Sequence, residues 1–72
     1  MHMVDDKKIL KNIGNKFKEA REAAKLLQSE VAQEAGINTN YYAQIERGEV
    51  NLSHIKLQRI AKALNIKSID IL

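Results

Sequence analysis

Residues 28–48 carry the pattern that decides the fold, QSEVAQEAGINTNYYAQIERG. Apolar residues recur in it at the spacing of two short helices, the first over 28–35 and the second over 39–47. Gly36 falls between them, and glycine tolerates the left-handed backbone conformation that ends a helix. Asn38 can cap the second helix, because its side-chain oxygen accepts hydrogen bonds from the first backbone N–H groups. The stretch therefore predicts a helix, a tight turn and a second helix.

The two predicted helices also meet the steric demands of packing against each other. A small residue is needed where they cross, and Ala32 stands there. The apolar positions that would hold the pair together are Val31, Ala35, Ile37, Tyr42 and Ile45. Because a helix-turn-helix places its second helix in the major groove of DNA, we expect the helix over 39–47 to be a recognition helix.

The outer face of this second helix is polar. With Tyr42 and Ile45 facing inward, the helical period exposes Thr39, Asn40, Ala43, Gln44 and Arg47. Asparagine and glutamine can donate and accept together, which matches the adenine edge, and threonine can contact the thymine methyl group. Taken alone, the face is equally consistent with ordinary polar surface. Together with the turn pattern, it favours DNA binding.

The flanking sequence predicts further helices. A long first helix follows Asp5 and Asp6, with an apolar stripe at Ile9, Ile13, Phe17, Ala20 and Ala24. A fourth helix, capped by Asn51 or Ser53, runs through Leu64 to a left-handed Asn65, with the apolar set Ile55, Leu57, Ile60, Ala61 and Leu64. A short last turn is expected over 69–72. The fold class is thus all-α, a compact five-helix bundle over residues 9–72, after a flexible N-terminal segment (1–8) that includes an expression-tag remnant.

Composition limits the classes of function. The 72 residues include 12 Lys and Arg against 9 Asp and Glu, a net charge of +3 that mildly favours an acidic partner. There is no cysteine, and the two histidines, His2 and His54, are far apart in sequence, so we expect no metal site and no cofactor. No glycine-rich phosphate loop or catalytic constellation is present, which argues against an enzyme. No membrane span or secretory signal is visible, so a cytoplasmic protein is expected.

The lysines of the first helix, Lys7, Lys8, Lys11 and Lys18, are interpreted as a solvated face rather than a phosphate site.

Residues that match one known family, in the same order along the chain, also lie outside the central stretch. They include 13–14, 17–18 and Arg21 in the first helix, then 28–32, 35–37, 41–48, 60–64, Ile69 and Leu72. Over residues 13–72 the sequence resembles the Cro/C1-type helix-turn-helix family (XRE-like regulators, with a lambda-repressor-like fold). The run ERGEVNLS at 46–53 is especially similar to the controller proteins of restriction-modification systems, which are small stand-alone dimeric regulators.

The resemblance implies a role for each matching residue. Thr39, Asn40 and Gln44 would reach base edges, with an apolar contact from Ala43. Residues that would contact the DNA backbone are Gln28, Asn38, Tyr41, Arg47 and Asn51. Arg21 and Glu46 would form a largely buried ion pair that joins the first helix to the recognition helix, and losing one partner would cost roughly 3–5 kcal/mol.

Two positions depart from the family pattern just before the second helix. Lys25 replaces the usual glycine, so a left-handed conformation there would carry strain. Leu27 replaces the usual serine or threonine cap and has no side-chain acceptor, which costs about 1 kcal/mol.

One recognition helix reads only a few base pairs, so we expect a homodimer on an inverted repeat of double-stranded DNA, without a small-molecule effector. The expected dimer surface is the C-terminal apolar set Ile66, Ile69, Ile71 and Leu72, with the exposed edge of the fourth helix. The competing interpretation is that these residues only complete the core. The alternative function is a protein-interaction module, antitoxin-like or co-activator, that uses the same fold.

Overall fold

A computed structural model describes residues 6–66, which form four α-helices. They are α1 (Asp6–Ala23), α2 (Gln28–Ala35), α3 (Thr39–Glu46) and α4 (His54–Ala63). The all-α class is confirmed, and four of the five predicted helices are present within this range. The predicted turn over 69–72 lies outside the described residues. Residues 6–8 are helical and overlap the predicted N-terminal segment, whose boundary stays a prediction.

The core lies where the four helices converge. Phe17 of α1, Val31 of α2, Tyr42 of α3 and Ile60 of α4 are its largest fully buried side chains. Burying an aliphatic or aromatic side chain of this size is worth about 1.5–3 kcal/mol relative to leaving it exposed. One large residue from each helix therefore holds the bundle together.

Three expected core residues are not buried. Ile9 is 40% exposed, because α1 has 18 residues and extends beyond the eight-residue α3 against which it packs. Ala24 is exposed since it follows the last residue of α1. Ile55 is 63% exposed because α4 buries Leu57, Ile60, Ala61 and Leu64, and a residue two positions before Leu57 lies on the opposite side of the helix. The predicted apolar sets were wrong at these three positions.

The helix ends follow the predicted pattern. Gly36 has φ 72°, and the following N–H of Ile37 donates to Ala32 O at 2.9 Å, which closes α2. Asn38 Oδ1 caps α3, accepting from the backbone N–H groups of Asn40 at 2.8 Å and Tyr41 at 3.2 Å. The turn between α2 and α3 is therefore the three residues 36–38.

The fourth helix also begins and ends at predicted residues. Ser53 caps it, with Oγ accepting from the N–H of Lys56 at 3.2 Å. Asn65, just past its end, is left-handed with φ 57°. Of the two capping residues considered from the sequence, the structure thus selects Ser53.

Helix α1 reaches the recognition helix through a close backbone approach at Gly14. This glycine is buried, and a β-carbon added to it would collide with the carbonyl oxygens of Ile45 and Glu46 and would lie 2.8 Å from the Glu46 carbonyl carbon. Only glycine lets the two backbones come this close. The contact sets the position of the C-terminal end of α3 relative to α1.

Candidate nucleic-acid interface

The predicted base-reading residues all lie on α3. Thr39 and Asn40 occupy its first turn and are exposed, while Ala43 and Gln44, one turn later, are partly buried. On the opposite side of the helix Tyr42 and Ile45 are buried in the core. The helix therefore presents its amide and hydroxyl groups outward from a fixed base, as contacts to base edges in a major groove require.

Two of the predicted backbone-contact residues also perform structural tasks. Gln28 is the first residue of α2, and its Nε2 donates to Glu46 Oε1 at 2.9 Å. Asn38 uses Oδ1 to cap α3. Each side chain still has an N–H donor beyond these bonds, because an amide nitrogen carries two hydrogens. Both can therefore stay in place and donate to a phosphate.

Tyr41 and Asn51 are joined by a contact that sequence reasoning missed. The Tyr41 hydroxyl donates to the carbonyl oxygen of Asn51 at 3.3 Å, and Lys56 Nζ donates to that hydroxyl at 3.4 Å. The same ammonium lies 4.4 Å from the centroid of the Tyr41 ring, within the range of a cation–π contact. Lys56 thus brings a positive charge to two predicted backbone-contact residues. Lys56 and Tyr41 are 15 positions apart, so no local sequence pattern links the two residues.

The structure places Arg21 and Glu46 in the predicted ion pair. Arg21 Nε donates to Glu46 Oε2 at 2.6 Å and Nη2 donates to Oε1 at 3.1 Å, while Nη1 donates to the Leu26 carbonyl oxygen at 2.9 Å. The side chains are 14% and 3% exposed. With the bond from Gln28, the Glu46 carboxylate accepts three hydrogen bonds and ties α1, α2 and α3 together.

This pairing decides the charge of Glu46. Burial alone would raise the pKa of Glu46, but the hydrogen bonds from Arg21 and Gln28 outweigh it and lower the pKa. The pKa of Arg21 is raised, mainly by its hydrogen bonds to Glu46. The buried pair is therefore fully ionised at neutral pH.

Tyr42 lies beside this network with its hydroxyl buried. Burial raises the pKa of Tyr42 far above its usual value, and the nearby Glu46 carboxylate raises the pKa further. The hydroxyl nevertheless has no partner at hydrogen-bonding geometry. A buried hydroxyl without a partner costs free energy, which the packing of the Tyr42 ring in the core offsets.

The structure shows the effects of the two departures from the family pattern that precede α2. Lys25 is left-handed with φ 59°, so the strain expected from its replacement of glycine is present. Leu27 supplies no cap from its side chain, but its backbone N–H donates to Glu30 Oε1 at 2.7 Å. Glu30 thus supplies half of a capping box, which sequence reasoning did not anticipate.

Arg47 extends from the end of α3 and pairs with Glu49. Its Nε lies 2.9 Å from Glu49 Oε2, and the two side chains are 56% and 50% exposed. An exposed pair of this kind is worth little in stability, typically below about 1 kcal/mol. Arg47 can therefore leave Glu49 for another anion at small cost.

Neither a membrane segment nor a metal centre is found in the described range. Among its helices none is long and apolar enough to cross a bilayer. No group of three or more histidine, cysteine, aspartate or glutamate side chains within residues 6–66 is placed to hold a metal ion.

Residues 17–72 match the helix-turn-helix family model. The chain belongs to the helix-turn-helix family. The predicted Cro/C1-type resemblance is confirmed, and the chain is a DNA-binding transcriptional regulator in which α2 and α3 form the motif. Among curated proteins none matches the chain.

Solved structures with the same fold include regulators of two kinds. The restriction-modification controller protein C.AhdI from Aeromonas hydrophila is 30% identical, with 88% of this chain and 96% of that chain covered and a TM-score of 0.84. The controller protein C.Esp1396I is 24% identical, covering 88% and 82%, with a TM-score of 0.81. The clp gene regulator ClgR from C. glutamicum is 21% identical, covering 88% and 82%, with a TM-score of 0.84. The latter two likenesses show the fold.

Proposed function

We propose that this regulator acts in the cytoplasm as a homodimer on an inverted-repeat operator, in the manner of a restriction-modification controller protein. The observation that carries the proposal is the outward polar face of α3, which the Arg21–Glu46–Gln28 network and the core hold in place. The likeness to C.AhdI over 96% of that chain supports the controller type.

Within each half-site, Thr39, Asn40 and Gln44 read base edges, and Ala43 makes an apolar contact. Their placement on one face of a capped helix supports this assignment. Gln28, Asn38, Tyr41, Arg47 and Asn51 hold the DNA backbone on either side. The remaining N–H donors of Gln28 and Asn38, and the exposed Arg47 guanidinium, support the backbone role.

The proposed dimer surface combines the C-terminal apolar set with α4. Ile66 is partly buried against the core, and Ile69, Ile71 and Leu72 lie outside the described residues. The exposure of Ile55 on α4 supports an additional apolar contact there. A second subunit would place the second recognition helix about one DNA turn away, which doubles the length of sequence that is read.

The proposal is tested by selecting bound duplexes from a random pool, then measuring the affinity of the consensus for the wild type, Gln44→Ala and Arg47→Ala. Gln44→Ala should lose about 1–3 kcal/mol of discrimination at one position of each half-site. Arg47→Ala should weaken binding to all sequences alike and lower the salt slope by about 1 per protomer.

A palindromic consensus and a dimer in analytical ultracentrifugation would support the proposal. A non-palindromic consensus bound by a monomer would contradict the dimer. If no duplex is enriched, the result argues against operator binding and favours the protein-interaction alternative. Unchanged binding by both variants would overturn the residue assignment.

A further inference from the structure

We propose that a second backbone-binding site lies on α1, where Lys11 and Lys18 contact phosphates of the DNA beyond the recognition helix. The two lysines line an open groove of about 710 Å³ between α1 and the C-terminal end of α3, which we call the α1 groove. This inference rests on the proposed function, because it extends the DNA interface of the same regulator. It also replaces the interpretation of these lysines as a merely solvated face.

The first argument is the arrangement of the side chains along α1. Lys11, Asn15 and Lys18 are spaced by four and three residues, so they share one face, and all three are exposed. Seven residues of helix separate the lysines by about 10 Å along the axis. That separation exceeds the size of one phosphate group and suits two different phosphates of a strand, with the Asn15 amide as a neutral donor between them.

The second argument is the charge balance of the α1 groove. Two arginines of the groove already have carboxylate partners, Arg21 with Glu46 at 2.6 Å and Arg47 with Glu49 at 2.9 Å. The ammonium groups of Lys11 and Lys18 come in addition to these two pairs, so the lining is positively charged overall. An open, positively charged channel fits an extended polyanion better than an enclosed small ligand.

The third argument is continuity with the predicted interface. Gln28 and Arg47, both assigned to the DNA backbone, line the same groove as the two lysines. A β-carbon at Gly48 would lie 2.7 Å from Lys11 Cγ, so the turn after α3 packs directly on the stem of this lysine. A DNA strand in contact with Gln28 and Arg47 therefore continues along the face that carries Lys11 and Lys18.

The test compares salt dependence of binding to the selected operator for three proteins: the wild type, the double variant Lys11→Gln/Lys18→Gln and the double control Lys16→Gln/Lys25→Gln. Glutamine keeps the β- and γ-carbons, the part of the stem that packs on Gly48, and removes the charge. Both control residues are exposed and neither lines the α1 groove, since Lys16 lies on another side of α1 and Lys25 precedes α2. Their replacement removes the same total charge. The oligomeric state of each protein is checked by ultracentrifugation.

We expect the double variant to lower the slope of log K against log salt by about 1.8 per bound protomer, because each phosphate contact contributes about 0.9. At 0.1 M salt this corresponds to about eightfold weaker binding for each lysine. The control should keep a slope within about 0.5 of the wild type.

Equal slopes for the variant and the control would overturn the inference, while binding by the wild type would leave the proposed function standing. Equal slopes include the case in which the α1 groove takes an acidic protein segment rather than DNA. Failure of the wild type itself to bind any selected duplex would overturn the proposed function and the inference together.

Discussion

Replacing Gly14 with alanine tests whether the close approach of α1 to α3 positions the recognition helix. Alanine is the better helix former by about 0.8–1.0 kcal/mol, so in an open helix the change would stabilise the protein. Here the new β-carbon collides with two carbonyl oxygens and lies 2.8 Å from the Glu46 carbonyl carbon. These are backbone atoms, which yield only if α1 and α3 move apart.

Overpacking of this kind typically costs about 1–3 kcal/mol, and we expect the upper part of that range because no flexible side chain can absorb the collision. After the gain in helix propensity, the net loss of stability is about 1–2 kcal/mol. For a domain of this size that lowers Tm by roughly 4–16 °C. Separation of the helices also lengthens the bonds between Arg21 and Glu46, so operator affinity should fall together with stability.

The measurement is urea and thermal unfolding followed by circular dichroism, with Asn12→Ala as the matched control. Asn12 lies in the same helix and is exposed, so its replacement adds helix propensity without a collision and should leave stability equal or slightly higher. A Gly14→Ala protein as stable as the wild type, or more stable, would refute the reasoning.

Two further predictions concern the residues that support the recognition helix. Because the pKa of Glu46 is lowered in the folded state, its contribution is complete above about pH 4.3, the unfolded value, and is lost as pH falls through the folded pKa. Glu46→Gln, which deprives Arg21 of its charge partner, should cost roughly 3–5 kcal/mol at pH 7 and clearly less at pH 3, as measured by urea unfolding at both values. A difference that does not change with pH would contradict this prediction. Lys25→Gly should raise stability by about 1 kcal/mol, since it relieves a left-handed residue with φ 59°, and a lower Tm in a thermal scan would show that Lys25 is not strained.

Much of the fold could be predicted because its signals are local. Gly36, Asn38 and Asn65 mark helix ends by backbone chemistry, and the structure finds each in the expected conformation or cap. The burial of Ile9 was mispredicted because helical periodicity states which residues share a face, but not how far the neighbouring helix extends along it. Ile55 was mispredicted because it does not share the face of α4 that buries Leu57 and Ile60.

The site was predictable only in part for a similar reason. The Arg21–Glu46 pair came from the family resemblance, and no local rule joins residues 25 positions apart. The contact of Lys56 with Tyr41 and the grouping of Lys11 and Lys18 with Arg47 depend on the packing of separate helices. Gly14 could be matched to the family, but the backbone collision that requires glycine becomes visible only in three dimensions.

The bond from the Leu27 N–H to Glu30 bears on how the protein tolerates an anion at the start of α2. A serine or threonine cap is neutral and leaves the positive end of the helix available to a phosphate, whereas Glu30 brings a full negative charge to the same turn. We expect this carboxylate to weaken, but not abolish, the attraction of the helix start for the phosphate that Gln28 contacts, while it stabilises the unliganded helix. Glu30 thus offsets the positive end of the α2 dipole. The electrostatic attraction of DNA then depends mainly on lysine and arginine side chains elsewhere on the surface. Affinity should therefore fall further on loss of one lysine or arginine than in a relative with a neutral cap.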